Sequence, residues 1–267
     1  MRFVHCVAVL AFVGGLLPAV SLADTVQVQV TVENLAPTNS IAFAPLRIGF
    51  GNGSFDSFDT GQVATAPIIS IAEGGSGSDW FPAFEAAEPD ATLGTVVPNP
   101  AGPLLPGASA SAEFTVDTAV NRFFTFASMV VPSNDYFIGN DSPMAYELFD
   151  AMGNLKISTI TQFGSDIWDA GSETTDAANA AFLVGGTNAL RTPQNGVVNF
   201  DFADLSTFNG LMTAAGYTFD SQLAADTAVY RISFAVVPEP SSLVLALGAV
   251  VGVGLACARR RVNTVAR

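Results

Sequence analysis

Polar and apolar residues alternate strictly over several separated stretches of the chain. Val26, Val28, Val30 and Val32 are interleaved with Gln27, Gln29, Thr31 and Glu33. Period-two alternation of β-branched residues predicts a strand with one buried face. The same signal recurs at Phe114 and Val116, at Val198, Phe200 and Phe202, and at Tyr230, Ile232, Phe234 and Val236. Arg122 to Val131 is denser in apolar residues and reads as a central strand. Ala145–Phe149 and Leu155–Ile160 flank the turn-like Asp150-Ala151-Met152-Gly153-Asn154. Stretches rich in Gly, Pro, Ser and Asn connect these runs, among them 49–53, 74–78 and 98–106. Helical periodicity is confined to two short candidates, 174–183 and 206–215. Many strands with few helices predict an all-β fold, an antiparallel β-sandwich of about eight strands spanning residues 24–237.

Both ends break this pattern. Arg2, an apolar run from Phe3 to Leu17, then Pro18 and Ser21-Leu22-Ala23 have the layout of a secretory signal peptide, residues 1–23. Near the other end, the 18 residues from Ser241 to Ala258 carry no charge. As a helix they would span about 27 Å, enough to cross a bilayer. Arg259, Arg260 and Arg261 follow, and the positive-inside rule would keep them cytoplasmic with 24–240 outside. A C-terminal transmembrane helix is therefore expected.

Charge changes the picture once the chain is divided. The whole sequence has 24 Asp+Glu against 10 Lys+Arg, a net charge of -14, with one His and two Cys. His5 and Cys6 fall in the signal segment and Cys257 in the apolar tail, so residues 24–237 contain neither residue type. Zinc sites built on Cys or His are excluded there, as are Ser-His-Asp and Cys-His nucleophiles. Disulfides are excluded as well. The scarcity of basic residues argues against nucleic acid, whose phosphates require clustered Lys and Arg. Hydrolysis by paired carboxylates stays open, because acids are plentiful.

Two acidic loops are candidates for chemistry: Pro132-Ser133-Asn134-Asp135, and Trp168-Asp169-Ala170-Gly171-Ser172-Glu173. Carboxylates on loops at strand ends suit a hard cation such as calcium, although the same composition also suits a solvated turn. Asn140 and Asp141 could add ligands, and Asn52, Asp56 and Asp59 form a further acidic loop. Trp80 and Trp168 could offer ring faces to sugars or serve as core.

The tail resembles a known signal. Val237-Pro238-Glu239-Pro240, followed by the apolar segment and the Arg cluster, is similar to the PEP-CTERM sorting signal of Gram-negative bacteria, here residues 238–267. The resemblance implies processing by an exosortase and delivery to the cell surface or extracellular matrix, in bacteria that make extracellular polysaccharide.

A second resemblance runs through the middle. Pro45-Leu46-Arg47-Ile48-Gly49-Phe50, Phe55-Asp56-Ser57-Phe58-Asp59-Thr60-Gly61, Ala72-Glu73-Gly74-Gly75 and Gly102-Pro103-Leu104-Leu105-Pro106-Gly107 precede the Pro132-Ser133-Asn134-Asp135 and Trp168-Asp169-Ala170-Gly171 motifs. In this order they resemble spondin N-terminal domains. That resemblance implies an eight-stranded β-sandwich of secreted adhesion and matrix proteins, with calcium held by Asp135, Asp169 and Glu173. Glu173 stands where the family has Asp, one methylene shorter. Together the two resemblances imply a non-enzymatic, calcium-binding surface module whose partner is an extracellular polysaccharide or a matrix or surface protein. A carboxylate-based hydrolase acting on polysaccharide and a purely structural matrix component are the alternatives.

Overall fold

The computed structural model describes residues 25–238. The signal-like segment 1–23 and the apolar tail 241–258 with its Arg cluster lie outside the described residues. Among the described residues no helix is long and apolar enough to cross a membrane.

The alternating valines form β1 (Thr25–Asn34), which buries Val28, Val30 and Val32 and leaves the polar positions between them half exposed. It lies between β5 (Ser109–Asp117) and β11 (Ala228–Val237), and β8 (Thr159–Phe163) closes this four-stranded antiparallel sheet in the order β5-β1-β11-β8.

The facing sheet is built around β6 (Phe123–Val131), flanked by β3 (Leu46–Gly51) and β7 (Tyr136–Gly139). β4 (Thr92–Val96) extends it on one side; the two-residue strands β9 (Trp168–Asp169) and β10 (Asn199–Phe200) extend it on the other. The short β2 (Ala42–Phe43) also pairs with β6. Among the described residues there are eleven strands, eight of them four residues or longer. The inward faces of both sheets meet in one core: Val30, Ile232 and Phe234 from the first sheet pack with Ile48, Phe50, Phe124 and Phe126 from the second. Two antiparallel sheets sharing a core are consistent with a β-sandwich.

The outer face of the larger sheet is covered by two helices that the sequence pattern does not announce. They are α1 (Ala66–Ala72) and α2 (Trp80–Ala87), seven and eight residues long. Each is too short to develop a helical period, and Pro67 and Pro82 within them read as turn signals. They bury Ile68, Ile71, Trp80 and Phe84 against Ala127, Phe137 and Trp168 in a second apolar cluster. Gly49 makes the contact possible, since a Cβ there would lie 2.2 Å from the Phe84 ring. This layer explains why β6 is apolar on both faces.

The expected helices fare differently. Residues 174–183 form turns and isolated bridges, because Asn134 and Ser133 engage their backbone from across the fold. In the second candidate, 206–215, only the start is helical, at the end of a 3-10 turn over Ala203–Phe208. Of the Val198–Phe202 signal, only Asn199 and Phe200 pair as a strand. Phe149 and Leu155 bridge across the Asp150–Asn154 turn without extending into a hairpin. Trp80 is fully buried, so it has no face for a sugar.

Candidate functional site

The two acidic loops meet. Val131–Pro132 is a cis peptide at the end of β6, and the chain then turns through Ser133, Asn134 and Asp135 into β7. Asn134 clamps the second loop at both backbone atoms of Asp176: its Oδ1 accepts from the amide at 3.0 Å and its Nδ2 donates to the carbonyl at 3.1 Å. Asp135 is buried and reaches the same loop. Its Oδ2 accepts from the amides of Ser172 at 2.8 Å and Glu173 at 2.9 Å. The Ser172 hydroxyl lies 3.1 Å from this oxygen and 2.8 Å from Glu73 Oε1, so its one proton serves either acid.

Asp169 enters from β9, whose pairing with β7 sets Asp169 opposite Tyr136. Its Oδ1 accepts from the Gly171 amide at 2.6 Å. That turn needs glycine, because Gly171 has φ +64° and a Cβ would lie 2.7 Å from the Val197 nitrogen and 2.8 Å from the Gly196 carbonyl carbon. Gly171→Ala should therefore displace the 168–173 loop from the 196–197 segment and lower the melting temperature by roughly 5–10 °C. A thermal scan in which G171A melts with the wild type would contradict this packing.

The charges around Asp135 are mostly acidic, with Arg191, which pairs with Glu73, offsetting part of them. Asp135 Oδ1 is buried and has no hydrogen-bond partner. Burial raises the Asp135 carboxyl above the usual range, against the pull of three hydrogen bonds from Ser172 and Glu173. Burial pushes Asp169 up to about 7, with Asp135, Asp201 and Asp204 adding to the shift. Tyr136 has a buried hydroxyl without a partner, and its pKa is raised by burial and by Asp169, Asp201, Asp204 and Asp135. Like charges at this density favour protons or a cation over bare carboxylates.

Glu173 occupies the other flank. Its Oε1 accepts from the Thr192 amide at 3.2 Å. Burial raises its carboxyl, and the charges acting on it are Glu73, which raises it further, and Arg191, which opposes. Arg191 in turn pairs with Glu73. Thus the charge of Asp135 acts on Asp169, which Asp201 and Asp204 also influence, while its side chain is hydrogen-bonded to the Ser172 and Glu173 backbone on the side of Glu73. Among the described residues no three His, Cys, Asp or Glu side chains converge closely enough to enclose a metal by themselves.

Three acids of this cluster were not legible as site residues. Glu73 caps the C-terminal end of α1, a helix absent from the sequence pattern. Asp201 and Asp204 arrive through β10 and the turn after it; the alternation around Phe200 was the available signal. The residues suggested as extra ligands are engaged elsewhere. Asn140 Oδ1 accepts from the Phe126 amide, and Asp141 holds the Thr60 hydroxyl at 2.8 Å. In the 52–59 loop, Asn52 Oδ1 accepts from the Ser54 amide at 3.0 Å, an Asx turn. Comparison with protein-family models and with curated proteins finds no match to this chain.

Proposed function

We propose that this protein is an exported, surface-sorted β-sandwich module of the spondin type that binds calcium between its two acidic loops and mediates adhesion or matrix contacts without catalysing a reaction. In this reading the signal peptide directs export. The C-terminal apolar segment then holds the chain in the membrane until an exosortase processes it.

The observation that carries the calcium reading is the orphaned Asp135 Oδ1, a buried carboxylate oxygen on an acid whose charge also acts on Asp169, with no basic residue among the described ones hydrogen-bonded to either acid. Calcium takes six to eight oxygens from flexible loops, including carbonyls and water, so two carboxylates suffice to nucleate a site. Asp135 and Asp169 would hold the ion. Glu173 would join by releasing the Thr192 amide, a movement its extra methylene permits. The ion would neutralise the repulsion between the loops and lock the end of the larger sheet.

Calorimetric titration of the purified protein tests this. Calcium should bind in the millimolar range or tighter, and Asp135→Asn should weaken binding at least about tenfold, whereas Asp59→Asn should leave it within about twofold. No heat of binding in the wild type, or equal affinity in D135N, would end the proposal.

A further inference from the structure

A cleft of about 280 Å³ opens where the chain crosses from one sheet to the other. β8 ends at Phe163, a 3-10 turn over Gly164–Asp166 carries the chain across, and β9 begins at Trp168. The end of β7 at Gly139 and the segment after it, 140–142, form part of the cleft wall. The cleft does not include Asp135, Asp169 or Glu173.

Its surfaces are of two kinds. Phe200 stacks on Trp168 with centroids 3.6 Å apart, yet remains 52% exposed. Phe163 is 39% exposed beside it, so apolar ring surface faces solvent at the cleft. The polar side chains are rich in acceptors. Asp166 uses Oδ2 to accept from the Phe163 amide at 2.8 Å, which leaves Oδ1 without a hydrogen-bond partner. Asp141 lines the same cleft. Gln162 is 4% exposed, and its Oε1 has no partner, while its Nε2 makes only a long 3.4 Å bond to the Tyr146 hydroxyl. Turning the amide over would still leave one end unpaired. Among the described residues no Lys or Arg lines the cleft.

We propose that this cleft binds one ring of a neutral sugar. Ring C–H faces would lie on the exposed aromatic surface, and hydroxyl groups would donate to Asp141, Asp166 and the Gln162 amide. The two carboxylates in the lining repel uronic and sulfated sugars, and the nearby Arg231, opposite Thr161 in the β8–β11 pairing, is already paired with Glu33. The volume admits a single residue of a chain, with the rest of a polysaccharide running over the surface. The inference goes beyond the calcium reading and is independent of it, since the two sites share no side chain.

The test is titration of the full-length protein with glucose, galactose, mannose and N-acetylglucosamine, followed by saturation-transfer NMR and by tryptophan emission. Trp168 lines the cleft while Trp80 is buried away from it, so emission reports the site. At least one neutral sugar should bind in the millimolar range, equally well in calcium and in EDTA. Phe200→Ala, at a half-exposed position, should keep the melting temperature and weaken binding about five- to tenfold. Absence of binding by all four sugars overturns the proposal, as does unchanged affinity in F200A. Tighter binding of glucuronate or of choline than of the neutral sugars assigns the cleft a different ligand and equally overturns it. Intact calcium binding beside any of these failures leaves the calcium site standing by itself.

Discussion

Glu88→Ala should lower the melting temperature by roughly 5–15 °C, a loss of about 2–4 kcal/mol. Glu88 follows α2 directly and is buried, yet among the described residues no salt bridge includes it. Its carboxylate is instead satisfied by backbone. Oε1 accepts from the amides of Ser54 at 2.7 Å and Phe55 at 2.6 Å, and Oε2 accepts from Asn52. One side chain thereby fixes the loop that leaves β3 and carries Phe55 into the aromatic layer. There Phe55 stacks on Phe84 with centroids 4.3 Å apart and meets Trp80 edge-on at 5.4 Å. Removing the carboxylate strands the buried Phe55 amide, while the Asn52 and Ser54 amides, on exposed residues, can turn to water. The expected cost is therefore below three full desolvation penalties. Glu88→Gln, which keeps one acceptor oxygen, should fall between. A thermal melt placing E88A within about 2 °C of the wild type would show that the loop is held by its aromatic contacts alone.

Glu88 also illustrates what the residue pattern conceals. An acid at the end of a short apolar stretch reads as solvated surface, and nothing local reveals that a loop 33 residues earlier in the chain donates to it. The longer strands of the two sheets were legible for the opposite reason. β1, β5 and β11 each bury one face, so burial imposes alternation directly on neighbouring residues. β6 showed as a dense apolar run and read as a central strand, but nothing in the run told that α1 and α2 cover its outer face. At the site, the two loops carried enough acid to be noticed, and their meeting is a consequence of β7 pairing with β9 through the Tyr136–Asp169 register. Long-range pairing also brings Glu73, Asp201 and Asp204 to the cluster. Their sequence neighbourhoods carry no trace of that, because electrostatic proximity across a fold leaves no period in the chain.

The metal-free protein should lose stability as pH rises from about 4 to 7, and calcium should reverse that loss. Asp169 has its pKa in the fold raised to about 7, and Asp135 is raised in the same direction by burial. In the unfolded chain both would titrate near 4. Below that value both states hold their protons and the two acids contribute nothing to the difference. Between about 4 and 7 the unfolded chain has released protons that the fold retains, so increasing pH favours unfolding; above about 7 Asp169 is ionised in both states and its contribution levels off. The half-exposed acids Glu147 and Asp150 are shifted the other way, by Lys156 and by Asn154 respectively, so their contribution is lost on acidification below the window and does not oppose the descent within it. A cation at Asp135 and Asp169 takes the place of the retained protons. Calcium at about a hundred times its dissociation constant adds roughly 2.7 kcal/mol, or about 5–10 °C for a domain of this size. Because protons compete for the same carboxylates, its apparent affinity should climb with pH and flatten above about 7. Melting curves in EDTA and in calcium across this range measure both effects, and Asp169→Asn should flatten the EDTA curve while abolishing most of the calcium shift. An EDTA profile that rises from pH 5 to 7 would mean that the buried carboxylates find compensation other than a proton or a cation, and the assignment of Asp135 and Asp169 as ligands would fall with it.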